Sequence, residues 1–71
     1  MAINYYYNYA EIDPITNMCI GVHTGTTAAT DPNFIEISAY DEEYCFKYYN
    51  WDNGKFYYDP EYTQEYISPL T

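Results

Sequence analysis

Between Tyr44 and Asp59 the chain reads Tyr-Cys-Phe-Lys-Tyr-Tyr-Asn-Trp-Asp-Asn-Gly-Lys-Phe-Tyr-Tyr-Asp. Two aromatic-rich runs lie either side of Trp51-Asp52-Asn53-Gly54. Asn-Gly is a strong hairpin signal, because glycine reaches positive φ without a Cβ clash and asparagine tolerates it. Aromatic rings suit a pleated, half-buried surface, and cross-strand ring pairs add up to about 1 kcal/mol each. Tyr44–Tyr58 therefore reads as a β-hairpin, which the other strands must cover.

Residues 3–12 alternate with period two. Ile3, Tyr5, Tyr7 and Tyr9 share one face, expected to be the more buried; Asn4, Tyr6, Asn8 and Ala10 share the other. Asp13-Pro14-Ile15-Thr16-Asn17 is a turn, with Asn17 suited to a left-handed backbone. A second strand, Met18–Thr24, completes a first hairpin. In it Met18, Ile20 and Val22 are expected to face the core, and Gly21 to permit a bulge or a close approach. Gly25–Asn33 has no periodicity and reads as a loop, expected to be the most mobile part. Phe34–Tyr40 is a third strand with Ile35, Ile37 and Ala39 inward. Asp41–Asn50 admits two readings. Asp41 caps a short helix carrying Tyr44, Cys45 and Tyr48, or a brief turn leads straight into the fourth strand; the Asn-Gly signal downstream favours the strand. Lys55–Asp59 is a fifth strand. Asp59-Pro60-Glu61 then carries the marks of a helix start, with Tyr62 and Tyr66 packing back on the sheet and Ser68-Pro69 ending it. The expected fold is mainly β: one small antiparallel sheet of about five strands, two hairpins plus a middle strand, with a short C-terminal helical turn. Residues 1–71 are expected to form one small β domain.

Seventy-one residues supply a thin core, worth only about 3–5 kcal/mol net, so help from a partner subunit is expected. The chain holds twelve Tyr, three Phe and one Trp, and eleven acidic against two basic residues, for a formal charge of −9. Such charge accompanies disorder only where aromatics are scarce. With Lys47 and Lys55 as the only cations and no Arg, phosphate contacts lack donors, so neither nucleic acid nor an anionic membrane is an expected partner. Met1-Ala2-Ile3-Asn4 lacks the basic start of a secretion signal, and no apolar run approaches spanning length. The expected location is a cytoplasm, or a larger assembly made there, and Cys19 and Cys45 are expected as free thiols.

The chemistry-bearing residues are few. His23 is the lone histidine. Simple alternation puts it on one face with Cys19, and Cys45 would make a third zinc donor. Structural zinc takes four ligands in short-spaced pairs, so His23 reads instead as a solvated or edge-strand residue and no metal or other cofactor is expected. Asp41-Glu42-Glu43 has no spacing for paired acid–base work. Asp52-Asn53-Gly54 lacks a calcium-loop pattern. No catalytic residue is assigned, and the chain is not expected to be an enzyme. The expected contact residues are Tyr48, Tyr49, Trp51 and Tyr57.

From Tyr5-Tyr6-Tyr7 through Ile20-Gly21-Val22, and again from Tyr44 to Tyr58, the chain resembles small tyrosine-rich domains of phage tail-region proteins, fibre- or baseplate-associated, from phages of Firmicutes and related gut bacteria. In those domains a tyrosine-rich strand runs into a turn and a Cys-Ile-Gly-Val type strand, matched here by Cys19-Ile20-Gly21-Val22. A later Tyr-Leu-Gly-Lys-Lys-Tyr…Asn-Gly-Lys-Trp type hairpin is matched by Tyr44–Tyr49 and Asn53-Gly54-Lys55-Phe56, with Cys45-Phe46 standing where Leu-Gly does. The resemblance covers most of the chain except the 24–33 loop. It implies a virion-associated structural or adaptor module.

The function expected is protein–protein contact in or near a phage tail, with other virion proteins or further copies of the chain, as an oligomer. Two other readings remain open. A compact −9 surface could imitate nucleic acid and occupy the basic groove of a host protein, as an inhibitor or trigger. Exposed Tyr and Trp51 could instead stack on sugar faces of a glycan.

Overall fold

The computed structural model describes residues 7–70, so Ile3, Tyr5 and the rest of the first six positions lie outside the described residues. The protein is mainly β, with two three-stranded antiparallel sheets. The first comprises β1 (Tyr7–Ile12), β2 (Cys19–Gly25) and β3 (Phe34–Ile37), in the order β2-β1-β3. The second comprises β4 (Tyr48–Asn50), β5 (Lys55–Tyr57) and β6 (Glu65–Tyr66), in sequence order. The two are stitched where β2 begins. Met18 bridges Tyr48, Tyr49 N–H donates to the Asn17 carbonyl at 2.7 Å, and Cys19 N–H donates to that of Lys47 at 2.7 Å. One core serves both sheets: Ala10, Ile12, Cys19 and Ile37 from the first side meet Tyr44, Tyr49, Phe56 and Tyr66 from the second, with Val22 and Ile35 packed against them.

Both expected hairpins form. In the first, the Asp13 carboxylate accepts from Ile15 N–H at 2.9 Å, and Asn17 takes φ 65°, the left-handed geometry that asparagine tolerates. In the second, Tyr48 faces Tyr57 and Tyr49 faces Phe56. The loop is four residues long and closed by Gly54 N–H to the Asn50 carbonyl at 2.8 Å. Only Gly54 in it has positive φ, at 74°, which fits a longer loop ending in a left-handed glycine.

The burial expected for β1 is corrected in part: Tyr9 is buried as expected, but the face that joins the shared core is the other one. Ala10 and Ile12 are the fully buried pair. Tyr7 and Tyr9 stack on the outer face at 6.3 Å, and Tyr9 is covered there by the 26–33 loop, whose Ala29 N–H donates to its hydroxyl at 2.9 Å. Bulk alone misidentified the inner face, because tyrosine can shelter its ring while keeping its hydroxyl bonded.

Alternation in β2 is broken by a bulge. Ile12 pairs with Cys19 but Glu11 pairs with Gly21, leaving Ile20 without an opposite number. A bulge residue shifts the side-chain phase by one. Cys19 is therefore buried, Ile20 is 52% exposed, and Val22 returns to the core side. The expected inward trio Met18, Ile20, Val22 is corrected accordingly, as is the shared face of Cys19 and His23. His23 lies on the outer face, 2.8 Å from Glu11 Oε1 and stacked on Phe34 at 5.2 Å. Gly21 makes room for that ring, since a Cβ there would sit 3.1 Å from His23 Nε2.

Two further expectations are revised. A single 3-10 turn, Glu42–Tyr44, precedes β4, and Asp41 caps it by accepting from Glu43 N–H at 2.9 Å. The strand thus begins at Tyr48 rather than Tyr44. The C-terminal helix is replaced by a turn and β6. Asp59 gathers Thr63 N–H, Thr63 Oγ1–H and Gln64 N–H as a cap would, but Tyr62 turns left-handed, at φ 60°. So short a segment forms too few hydrogen bonds to offset helix nucleation, and pairing with β5 supplies them instead.

Candidate contact surface

The junction between the sheets is built around Tyr44-Cys45-Phe46-Lys47. Lys47 N–H donates to the Tyr44 carbonyl at 3.0 Å. Cys45 has φ −56°, ψ 135°, and Phe46 has φ 70°. These are the angles of a type II turn, whose third residue needs positive φ and is ordinarily glycine or asparagine. Phe46 N–H then donates to the Cys19 carbonyl at 2.8 Å while Cys19 N–H donates to that of Lys47. This is a bulge of the G1 kind, again at the position where glycine belongs. Left-handed backbone costs a side-chain-bearing residue roughly 1–2 kcal/mol. No core burial offsets that cost, because Phe46 is 71% exposed. Ile20, the bulged residue of β2, follows Cys19 directly. Two exposed apolar residues therefore leave the fold at the same junction.

Around this turn the inner side is firmly held. Tyr44 packs edge-on against Phe56 at 4.7 Å and Tyr66 at 5.3 Å, contacts worth roughly 0.5–1.5 kcal/mol each beyond their buried area. The Lys47 ammonium lies 5.0 Å from the Tyr58 ring centre and 4.8 Å from that of Tyr66, within cation–π range, and donates to the Glu43 carbonyl at 2.7 Å. Asp41, buried, accepts from Glu43 N–H, the Tyr66 hydroxyl and the Ser68 hydroxyl, tying the C-terminal segment to the 3-10 turn. Burial pulls its carboxyl pKa upward, but the hydrogen bonds from Ser68, Tyr66 and Glu43 N–H, with the Lys47 charge, outweigh that and leave it below the ordinary value. Burial first, then the hydrogen bond and charge of Asp41, pushes the Tyr66 hydroxyl well above the usual phenol range.

The four expected contact residues separate. Tyr49 belongs to the core at 9% exposure, packed on Phe56 at 4.9 Å. Tyr48 and Tyr57 are half-buried and cross-strand neighbours on the opposite face, where Tyr57 also meets Tyr62. Trp51, 44% exposed, caps Tyr49 edge-on at 4.9 Å and donates from Nε1 to Asn17 Oδ1 at 2.9 Å. Its ring thus closes the hairpin end against the first turn, leaving part of one surface outward. Phe46 was overlooked by sequence reasoning. The available signal was a phenylalanine at the glycine position of the resembled hairpin.

Several of the acidic residues serve local duties. Asp13 and Asp31 accept backbone N–H groups within their own turns, Asp41 caps the 3-10 turn, Asp59 gathers Thr63 and Gln64, and Glu11 meets His23. Each of these positions has a reason in the fold independent of any imitation of a phosphate chain. Among the described residues no group of three or more His, Cys, Asp or Glu is placed to hold a metal, and no helix is long and apolar enough to cross a membrane.

No protein-family model, no curated protein and no solved structure matches the chain.

Proposed function

We propose that this chain is a non-enzymatic contact module of a phage tail region, a structural or adaptor protein that binds other virion proteins or further copies of itself. The observation that carries the contact role is Phe46. A bulky ring occupies a backbone position that favours glycine, and that ring faces solvent. Strain retained without internal compensation points to use of the side chain outside the fold. An exposed aromatic on a rigid turn is a good anchor for a protein partner, since large rings dominate interface energetics. The phage-tail assignment rests on the resemblance. The Leu-Gly position of the resembled hairpin falls at Cys45-Phe46, whose angles are those of a type II turn.

The test combines sedimentation of the purified chain with probing of purified virions for its presence. Assembly above the monomer, or incorporation in particles, with loss of either in Phe46→Gly while the fold is kept, is the expected outcome. A monomer absent from particles removes the proposal.

A further inference from the structure

The two cysteines meet at the same junction. Cys45 immediately precedes Phe46, whose N–H bonds to the Cys19 carbonyl, and the backbone N–H of Cys19 returns to Lys47. That register places the cysteines at adjoining positions of the junction, near enough for Cys45 to bear electrostatically on the Cys19 thiol. Both are free thiols, Cys19 buried and Cys45 partly exposed. We infer that Cys19 and Cys45 form a dithiol site that a low-molecular-weight disulfide, such as glutathione disulfide, converts to an intramolecular cross-link between the start of β2 and the type II turn.

The two sulfurs have different roles. Burial, above all, raises the Cys19 thiol to about 11, with Cys45 adding to the rise and the Gly21 carbonyl contact opposing it. Cys19 is therefore a poor first nucleophile, and Cys45 is the accessible one. The Cys45 thiolate attacks one sulfur of glutathione disulfide, forming a mixed disulfide and releasing one glutathione. Cys19 then attacks the Cys45 sulfur, losing its proton and expelling the second glutathione. Two protein thiols are oxidised, one small disulfide is reduced to two thiols, and both protons leave on glutathione. Proximity makes the second step intramolecular, so the mixed disulfide does not accumulate.

The experiment incubates the reduced full chain with glutathione disulfide and follows intact mass, free thiols and thermal midpoint. The expected product has lost two hydrogens, carries no glutathione, and runs as an unlinked chain on non-reducing gels. Its midpoint rises by roughly 10 °C, because the closed loop constrains the unfolded chain, and dithiothreitol reverses the rise. Cys45→Ser, altered at a partly exposed position, gives no such mass loss. A persistent glutathione adduct on the natural chain, an intermolecular disulfide, no reaction, or a lowered midpoint in the cross-linked product overturns the inference.

Discussion

The Ser68 hydroxyl donates to Oδ2 of Asp41 at 2.6 Å, and through that bond the last segment of the chain is fastened to the turn that begins the second sheet. Beside it the Tyr66 hydroxyl donates to the same oxygen. A buried carboxylate held by such donors is a source of stability as long as it is ionised.

Acid should therefore weaken the fold. The folded-state pKa of Asp41 is lowered, as is that of Asp59, which Thr63 holds chiefly through its side-chain hydrogen bond. Their contributions are complete above the ordinary carboxylate value. They are lost as pH falls through the lower folded values, because there the unfolded chain takes up protons first. Ser68→Ala should cost about 1–3 kcal/mol near neutral pH and flatten that acid limb. Urea midpoints measured across the acid range check both.

Alkali should weaken it for the opposite reason. The Tyr66 and Tyr44 hydroxyls titrate above the usual phenol value, burial being the main cause in each. Above the unfolded value the folded chain retains protons that the unfolded one gives up, so stability declines as pH rises. Tyrosinate absorbance should increase together with the loss of sheet signal in circular dichroism. Ionisation that runs to completion while the sheet signal stays intact would contradict this.

At the junction, Phe46→Gly should leave stability unchanged or raise it by about 0.5–1 kcal/mol, since relief of left-handed strain outweighs the added freedom of the unfolded glycine. Phe46→Val, β-branched at the same angles, should destabilise. Equilibrium denaturation of the three proteins decides the matter.

Asn17 combines backbone and side-chain roles. Its left-handed φ suits glycine as well, but its amide joins Trp51 and Tyr62. Asn17→Gly should preserve the turn and loosen the indole, shifting Trp51 fluorescence to longer wavelength. Asn17→Ala should lose the same contacts and add strain, making it the less stable variant by about 1 kcal/mol.

Isoleucines should sort by the bulge. Ile12→Ala opens the shared core and should cost about 2–5 kcal/mol, enough to unfold a chain with so thin a core. Ile15→Ala and Ile20→Ala, both at exposed positions, should cost about 0.5 kcal/mol or less. A large loss at Ile20 would mean that the bulge is misplaced.

Much of this fold was legible in the residues. Asp13-Pro14 with Asn17, and Asn53-Gly54, announced two hairpins because their local chemistry leaves few other conformations. Ile35 and Ile37 alternate with Glu36 and Ser38, and Ile37 is buried with Ile35 partly so. What alternation could not reveal was the slip at Ile20, which depends on pairing with a strand distant in sequence. The C-terminal segment misled for a related reason. Asp59 does cap, but the ladder with β5 outcompetes a helix that local signals alone would begin. The surface was harder still. Tyr48, Tyr49, Trp51 and Tyr57 look alike as aromatics, and only their facing in the sheet distinguishes core from exterior. Phe46 stood out in the sequence only as a ring at a glycine position, and its backbone angle and exposure give that substitution its meaning.

The core is shared between two sheets that are also consecutive in the chain, with β3 ending at Ile37 and β4 starting at Tyr48. Severing the peptide after Ser38 would thus divide the interior and not just the outline. Each piece would carry one sheet with its greasy side bare. Mixed in solution, the halves have every reason to find each other again, which makes this small chain a natural candidate for reconstitution from fragments.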